Sequence, residues 1–506
     1  MSITLIKALL LILFIGHNVE AQTLFPRDRA SMVNPDVQLK LTFKSQPRVG
    51  TSGTIRIVDT SGRVVDTLDM STPPGPTKPV DPAVRAKNYL SFPYPYDRAS
   101  RPTNRDTKPG TPSAGAVPTS EQYQLTIIGG FTDGFHFYPI TIDGNTATIH
   151  PHHDSLEYGK SYYVEIDREV LDVDNNEFTG IAKNSWRFTT KPRSKAPPLN
   201  AKRLIVSADG SGDFNTVQGA LDFVPDHLKH RVTINVRNGL YEEIVYARNK
   251  DNVTLLGESQ DKTIVRYANN EVFNPHPANI RTNPEAGTFP SRRAAVAIDN
   301  CNDIHIVNMT LQTSAFGQAE GLLITGDRNI LSHVTVIGSG DALQANGRIY
   351  VVDSTITGAG DTILGRGTLF CERCTIKSRS VMMWPRNHEG VHGNIFKDCT
   401  FIATATPTTI ARAPRNESFS YPFAEVVLLN ATLVNISSEG WGDADKGGNV
   451  RFWEFQSRNQ DGSLVDVSRR VPWSRQLDKI KDAKLIADYS RPEFVLAGWT
   501  PKLDIH

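Results

Sequence analysis

At 506 residues the chain is too long for one ordinary hydrophobic core, so two or more domains are expected. Lys plus Arg (55) nearly equals Asp plus Glu (54), a formal net charge of +1, which leaves no global field to draw nucleic acid or an anionic membrane. A hydrophobic content of 39% suffices for packing, and only four cysteines in so long a chain exclude a disulfide framework as the source of the fold.

The opening segment, "MSITLIKALLLILFIGHNVEA", carries a basic Lys7, an apolar run too short to span a bilayer with margin, and a small residue at Ala21. This is the pattern of a secretory signal peptide over residues 1–21, cleaved near Ala21. No later stretch approaches about eighteen consecutive apolar residues. The expected product is exported, periplasmic or extracellular, has no membrane span and no nucleic-acid partner, and is a monomer.

Residues 22–197 read as a small β domain. "QLKLTF", "GTIRIVDTSGRVVDTL" and "YYVEID" alternate apolar and polar residues, and "DTSGR" supplies a hairpin turn. A Pro-rich insertion from "STPPGPTKPVDP" to "TNRDTKPGTPSAGAVPTS" interrupts the domain and is expected to be extended and in part mobile. The phrase "YYVEIDREVLDVDNNEFTGIAKNSWRFTT" resembles the final strands of bacterial Ig-like domains, which implies a β-sandwich that supports or spaces. "KPRSKAPPLNAK" then reads as a linker.

Residues 198–506 change character. In "FNTVQGALDFVP", Val217, Ala220, Leu221 and Val224 share one helical face, which predicts a helix covering the open end of whatever follows. Short phrases ending in Thr plus an apolar residue then recur: "NMTL" (Thr310), "HVTV" (Thr335), "DSTI" (Thr355), "RCTI" (Thr375), "DCTF" (Thr400) and "NATL" (Thr432). Their steps are 25, 20, 20, 25 and 32 residues, a solenoid period with one strand phrase per turn. Helical periodicity is missing from this stretch, which makes an all-β chain with a parallel β-helix the best reading, the alternative being a β-sandwich with coincidental spacing. Cys374 and Cys399 precede repeat threonines on successive coils, so they stack in one column, as a disulfide or as two thiols. "CERC" at 371–374 lacks the second pair or nearby histidines that a zinc site needs.

Within the solenoid, "GSGD" and "GAGD" place Asp341 and Asp361 six residues after their repeat threonines and one local step of 20 apart. Equivalent positions on consecutive coils put the two carboxylates about 5 Å from each other. Taken singly, each is a residue that commonly closes a Gly-rich turn. As a stacked pair they cannot both ionise freely, so one keeps a proton and the other acts as base or nucleophile. That geometry also suits a retaining glycosidase and leaves the reaction open.

From Leu204 onward the chain resembles the pectinesterase family, the pectin methylesterases with a right-handed parallel β-helix. "VSADGSGDFNTVQGALDFVP" is similar to that family's opening segment, and "NGLYEEIV" carries its G-x-Y-x-E motif at Gly239, Tyr241 and Glu243. "GQAEGLLITGDR" resembles its Gln-Ala-Val-Ala-Leu region, "GSGDAL" its Gln-Asp-Thr-Leu motif, "GAGDTILG" its Gly-x-x-Asp-Phe-Ile-Phe-Gly motif, and "IARAP" its Leu-Gly-Arg-Pro-Trp motif. The resemblance implies Asp361 as nucleophile on the methyl ester of a galacturonate in pectin and Asp341 as acid and then base. It further implies Gln318 as oxyanion donor, Arg412 as the group that orients Asp361, and no cofactor or metal.

Four departures bear on the site. The glutamine that precedes the first aspartate in the family is Gly340 here, leaving the Gly340 backbone N–H or Gln344 as replacement donors. Phe, Pro and Trp of the family motifs are Thr362, Ala413 and Pro414, so Phe316, Trp384 and Trp441 are the candidate platforms for sugar rings. The alternatives are a β-helical polysaccharide hydrolase or lyase, or a non-catalytic polysaccharide-binding surface protein; a lyase would require calcium, and no acidic cluster suits it.

Overall fold

A computed structural model describes residues 22–78, 123–128, 134–174, 177–274, 292–412, 415–416, 419–443 and 449–503. The signal segment, most of the Pro-rich insertion, and Ala413 and Pro414 lie outside the described residues.

The N-terminal part is a β-sandwich. One antiparallel sheet orders Thr23–Phe25, Leu39–Thr42, Thr146–Ile149 and Ile140–Asp143; the other orders Ala30–Val33, Arg187–Thr190, Ser161–Ile166, Thr54–Asp59 and Val64–Asp69. Strand alternation does what the sequence pattern requires: Leu39, Leu41, Ile55, Ile57 and Val164 enter the core while Lys40 and Arg56 face outward. The hairpin at 59–63 closes on the Asp59 carboxylate, which accepts the Ser61 and Arg63 backbone N–H groups. Buried Trp186 donates its indole N–H to the Pro26 carbonyl at 2.7 Å.

The remainder is a parallel β-helix with three ladders, wound in the right-handed sense that parallel crossovers adopt. The first stacks Arg203–Val206, Val232–Val236, Val253–Gly257 and then, coil by coil, residues up to Ser474–Gln476. The second runs from Gly239–Glu242 to Thr432–Val434, and the third from Val245–Arg248 to Met383–Pro385. The repeat threonines stack in register, Thr310 on Thr335, Thr355, Thr375, Thr400 and Thr432. One position further on, Leu311, Val336, Ile356, Ile376, Phe401 and Leu433 form a continuous apolar column in the core. Each such side chain, taken from water to full burial, contributes about 1.5–3 kcal/mol.

The corner before each repeat threonine has a common geometry. Asn308, His333, Asp353, Arg373, Asp398 and Asn430, each two residues earlier, all hold positive φ between 49° and 59°. Asn and Asp tolerate this left-handed conformation and bend the chain sharply between ladders. The residue between corner and threonine points inward, and here Cys374 and Cys399 stack as free thiols, the Cys374 N–H reaching Cys399 Sγ at 3.3 Å.

The helix Val217–Phe223 covers the N-terminal end of the solenoid core, with Val217, Ala220 and Leu221 buried and Thr216 Oγ1 capping the Gly219 N–H. The Glu243 carboxylate accepts the Val217 and Gln218 N–H groups at 2.8 and 3.0 Å, so the glutamate of the G-x-Y-x-E motif holds this helix. Burial pushes its carboxyl up to about 7 in spite of those two donors. The sandwich packs on the same end: Asp36 accepts from the Asn215 and Thr216 backbone, His153 pairs with Asp222 at 2.5 Å, and Tyr138 stacks on Phe273 at 4.6 Å. A cavity of about 730 Å³ remains between the two parts. Among the described residues no helix is long and apolar enough to cross a membrane.

Candidate active site

The candidate residues gather where the second ladder turns into the third. Val296 pairs with Leu322, Leu322 with Leu343, and Leu343 with Ile363. Stepping back two residues along that register sets Glu320, Asp341 and Asp361 at one position on three consecutive coils. At β spacing this is a column of three carboxylates about 4.8 Å apart per step. An arginine clamps each end.

At one end Arg412, which follows the Met383–Ala411 bridge, donates from Nη2 to Asp361 Oδ2 at 2.6 Å and from Nε to Oδ1 at 3.2 Å. This fork fixes the carboxylate in one orientation. Asp361 itself holds a positive φ of 45°, a backbone strain of the kind that active-site turns store. Its N–H is tied to the Val381 carbonyl at 2.7 Å, which keeps the turn in place.

At the other end Arg293 donates from Nε to both Glu320 oxygens, at 2.9 and 2.8 Å, and from Nη2 to Glu320 Oε1 and to Asp341 Oδ2, each at 2.6 Å. Glu320 is fully buried and Arg293 and Asp341 nearly so. The Asp341 carboxyl is pushed up to about 7: burial is the main cause, Glu320 and Asp361 add to it, and Arg293 and Arg386 oppose it. A carboxyl in the middle of the column therefore holds a proton near neutrality beside a clamped Asp361.

The other expected residues divide. Gln318 is exposed at the edge of the site, and Arg293 Nη1 donates to its Oε1 at 3.4 Å, leaving the amide NH₂ as the free end. Phe316 projects from the same turn with 90% exposure and can meet a large ligand. Gln344 is buried on the outer face of the third ladder, between core-facing Leu343 and Ala345 and in register with Leu364, and so in line with Trp384 on the coil after.

Trp384 lies at the site, but its ring carries guanidinium groups, Arg386 at 3.9 Å and Arg412 at 4.9 Å from the ring centroid. It steadies Arg412, and the ring is half-exposed. Trp441 is corrected outright: it is 1% exposed and stacks on Phe452 at 5.1 Å in the core. The Gly340 N–H is also corrected as a replacement donor, because it is spent on the Gly317 carbonyl at 2.8 Å. A Cβ at 340 would lie 3.0 Å from that same oxygen, which gives a steric reason for glycine where the family has glutamine. Thr362 is buried, bonded to Ser378 Oγ at 2.7 Å, so no side chain at that position lines the cleft.

Arg293 and Glu320 were not anticipated. The turn that carries Gln318 and Glu320, from Thr313 to Leu322, is longer than the turns at Asp341 and Asp361. Counting six residues from Thr310 therefore lands on Phe316 rather than Glu320.

The sequence model of a family described as Pectinesterase matches residues 203–498, and that of a family described as Bacterial Ig-like domain matches residues 111–190. The chain is 28% identical over 346 residues to "Probable pectinesterase/pectinesterase inhibitor 42" of Arabidopsis thaliana, covering 63% of this chain and 62% of that protein. It is also 28% identical over 295 residues to "Pectinesterase 31" of the same organism, covering 54% and 88%. Thus it spans less than two thirds of the length of the former. Among solved structures it is similar to pectin methylesterase from carrot, with a TM-score of 0.48, 21% identity, and coverage of 60% of this chain and 95% of that one.

Proposed function

The chain belongs to the pectinesterase family, whose model matches more than half of it, and from that premise we propose that it is an exported pectin methylesterase, hydrolysing galacturonate methyl esters through an aspartyl acyl-enzyme. One observation carries the reading: a carboxylate clamped by an arginine fork, Asp361, stands one coil from a second, nearly buried carboxyl, Asp341.

In this reading an Asp361 oxygen attacks the ester carbonyl carbon, and the Gln318 amide donates to the oxyanion that forms. The carbon–methoxy bond breaks as Asp341 gives its proton to the leaving oxygen, releasing methanol and leaving galacturonate joined to Asp361 as an acyl anhydride. Asp341, now a carboxylate, takes a proton from water whose oxygen attacks the galacturonate carbonyl. Asp361 departs as a carboxylate and Asp341 again holds a proton. Arg412 orients Asp361 throughout, and Phe316 is placed to meet the polymer. The apolar run and Ala21 in residues 1–21 support export, and the bacterial Ig-like domain serves as a support for the solenoid.

The test is methanol release from highly methylated pectin by wild type and Asp361→Ala, with parallel assays for new reducing ends and unsaturated products. Methanol without chain cleavage, lost in the variant, is the expected result. Chain cleavage without methanol would assign the carboxylates to a glycosidase or lyase, and neither product would favour a polysaccharide-binding role.

A further inference from the structure

Three stacked carboxylates and two clamping arginines raise a question of charge. With every group ionised, Glu320, Asp341 and Asp361 bring three negative charges against the two positive charges of Arg293 and Arg412. Glu271 adds a more distant carboxylate, 3.7 Å from Arg293, and Arg386 a more distant cation that acts on Asp341. Arg412 is committed to Asp361. Arg293 is shared, but unequally: three of its contacts go to Glu320 and one to Asp341. An arginine facing Asp341 alone would hold it ionised and disable it as an acid. Glu320, fully buried and forked by the guanidinium, offsets that charge.

We propose that Arg293 and Glu320 act together as positioning residues for the reaction: Arg293 fixes the Asp341 carboxyl and the Gln318 amide, and Glu320 neutralises Arg293 so that Asp341 retains its proton. The idea rests on the pectin methylesterase reading for its consequence, but its content is how Asp341 and Gln318 are held. It assigns each arm of one guanidinium a task. Nη2 orients the acid, Nη1 turns the Gln318 NH₂ outward, and the Nε edge is anchored on Glu320. It also accounts for the missing family glutamine at Gly340, since the amide that remains is held in orientation by Arg293.

Among the described residues the groups that act on Asp341 are Arg293, Glu320, Asp361 and Arg386, and only the first two are altered in the test. In Glu320→Gln the guanidinium is left uncompensated beside Asp341, whose proton is then lost at lower pH. The alkaline limb of kcat/KM for methanol release moves down by about one pH unit or more, a tenfold loss at a fixed pH on that limb. In Arg293→Gln/Glu320→Gln both charges are removed, so the limb returns toward its wild-type position while kcat stays low because Asp341 and Gln318 are no longer held. Circular dichroism and thermal melting check that both variants fold.

The same titration is followed without substrate, from the carboxyl carbon resonance of Asp341 in protein labelled with ¹³C-aspartate and assigned through Asp341→Asn. If wild type releases no methanol but this resonance titrates lower in Glu320→Gln, the activity reading fails and the positioning role stands. If Glu320→Gln folds and the resonance titrates as in wild type, the positioning role is overturned, whatever the activity. A limb that stays in place in both variants while rates fall overturns it as well.

Discussion

A carboxyl that retains its proton for chemistry costs the folded state stability once that proton is lost. Asp341 has an ordinary value of 3.8 and is pushed up to about 7, chiefly by burial. A group whose folded value lies above its unfolded one makes its full contribution below the unfolded value, and stability then falls as pH rises through the folded value. For Asp341 the loss begins near pH 4 and is complete just above pH 7. At about 1.4 kcal/mol per pH unit the displacement corresponds to about 4 kcal/mol. Asp341→Asn is neutral at every pH and keeps an oxygen for Arg293, so it escapes this loss. The expected outcome is a variant that matches wild type to within about 1 kcal/mol at pH 4 and exceeds it by up to about 4 kcal/mol at pH 8. Urea unfolding at the two pH values reads the difference, and any constant offset between Asp and Asn cancels. A gap between variant and wild type that is the same at both pH values, or that narrows on raising pH, would refute the argument.

Three further outcomes are expected. Arg412→Lys keeps the charge but loses both the fork on Asp361 and the contact with the Trp384 ring, so kcat for methanol release falls by about 10²-fold while the circular dichroism spectrum is unchanged. Gly347→Ala places a Cβ 1.7 Å from the Gly326 carbonyl oxygen at a φ of +113°, where two coils touch; the expected destabilisation is about 3 kcal/mol or more, seen as a lower melting temperature or loss of soluble protein. Phe316→Ala removes a ring that is 90% exposed, so the melting temperature stays put while KM for polymeric pectin rises, measured by methanol release at several substrate concentrations.

The solenoid was legible because its constraint is one-dimensional. A parallel coil must return to the same corner each turn, so Thr310, Thr335, Thr355, Thr375, Thr400 and Thr432 mark one ladder directly in the sequence, whatever length of chain lies between them. The paired aspartates followed from the same counting, since the turns that carry them differ little in length. Trp441 was misplaced for a related reason: an aromatic residue in a loop phrase gives no sign of which side of the coil it faces, and here it faces inward onto Phe452. The sandwich strands were readable from alternation alone. Nothing in the sequence reported that the Glu243 carboxylate would be used on a helix terminus, because that contact joins the solenoid to a helix outside its repeat.

Glu320 and the long turn between Thr313 and Leu322 escaped notice together, and Gly340, already marked in the sequence as a departure, belongs with them. The longer turn brings the Gly317 carbonyl onto the Gly340 N–H at 2.8 Å and leaves no room for a side chain at 340 without crowding that oxygen at 3.0 Å. A side chain at 340 would therefore have to displace that carbonyl by a few tenths of an ångström. The same turn delivers Glu320 into the column and Gln318 to its edge, where Arg293 can reach both. One local turn thus both occupies the Gly340 N–H and sets the buried Arg293–Glu320 pair beside Asp341. A period count that assumes equal turns passes over both, because this turn is longer than those that follow it.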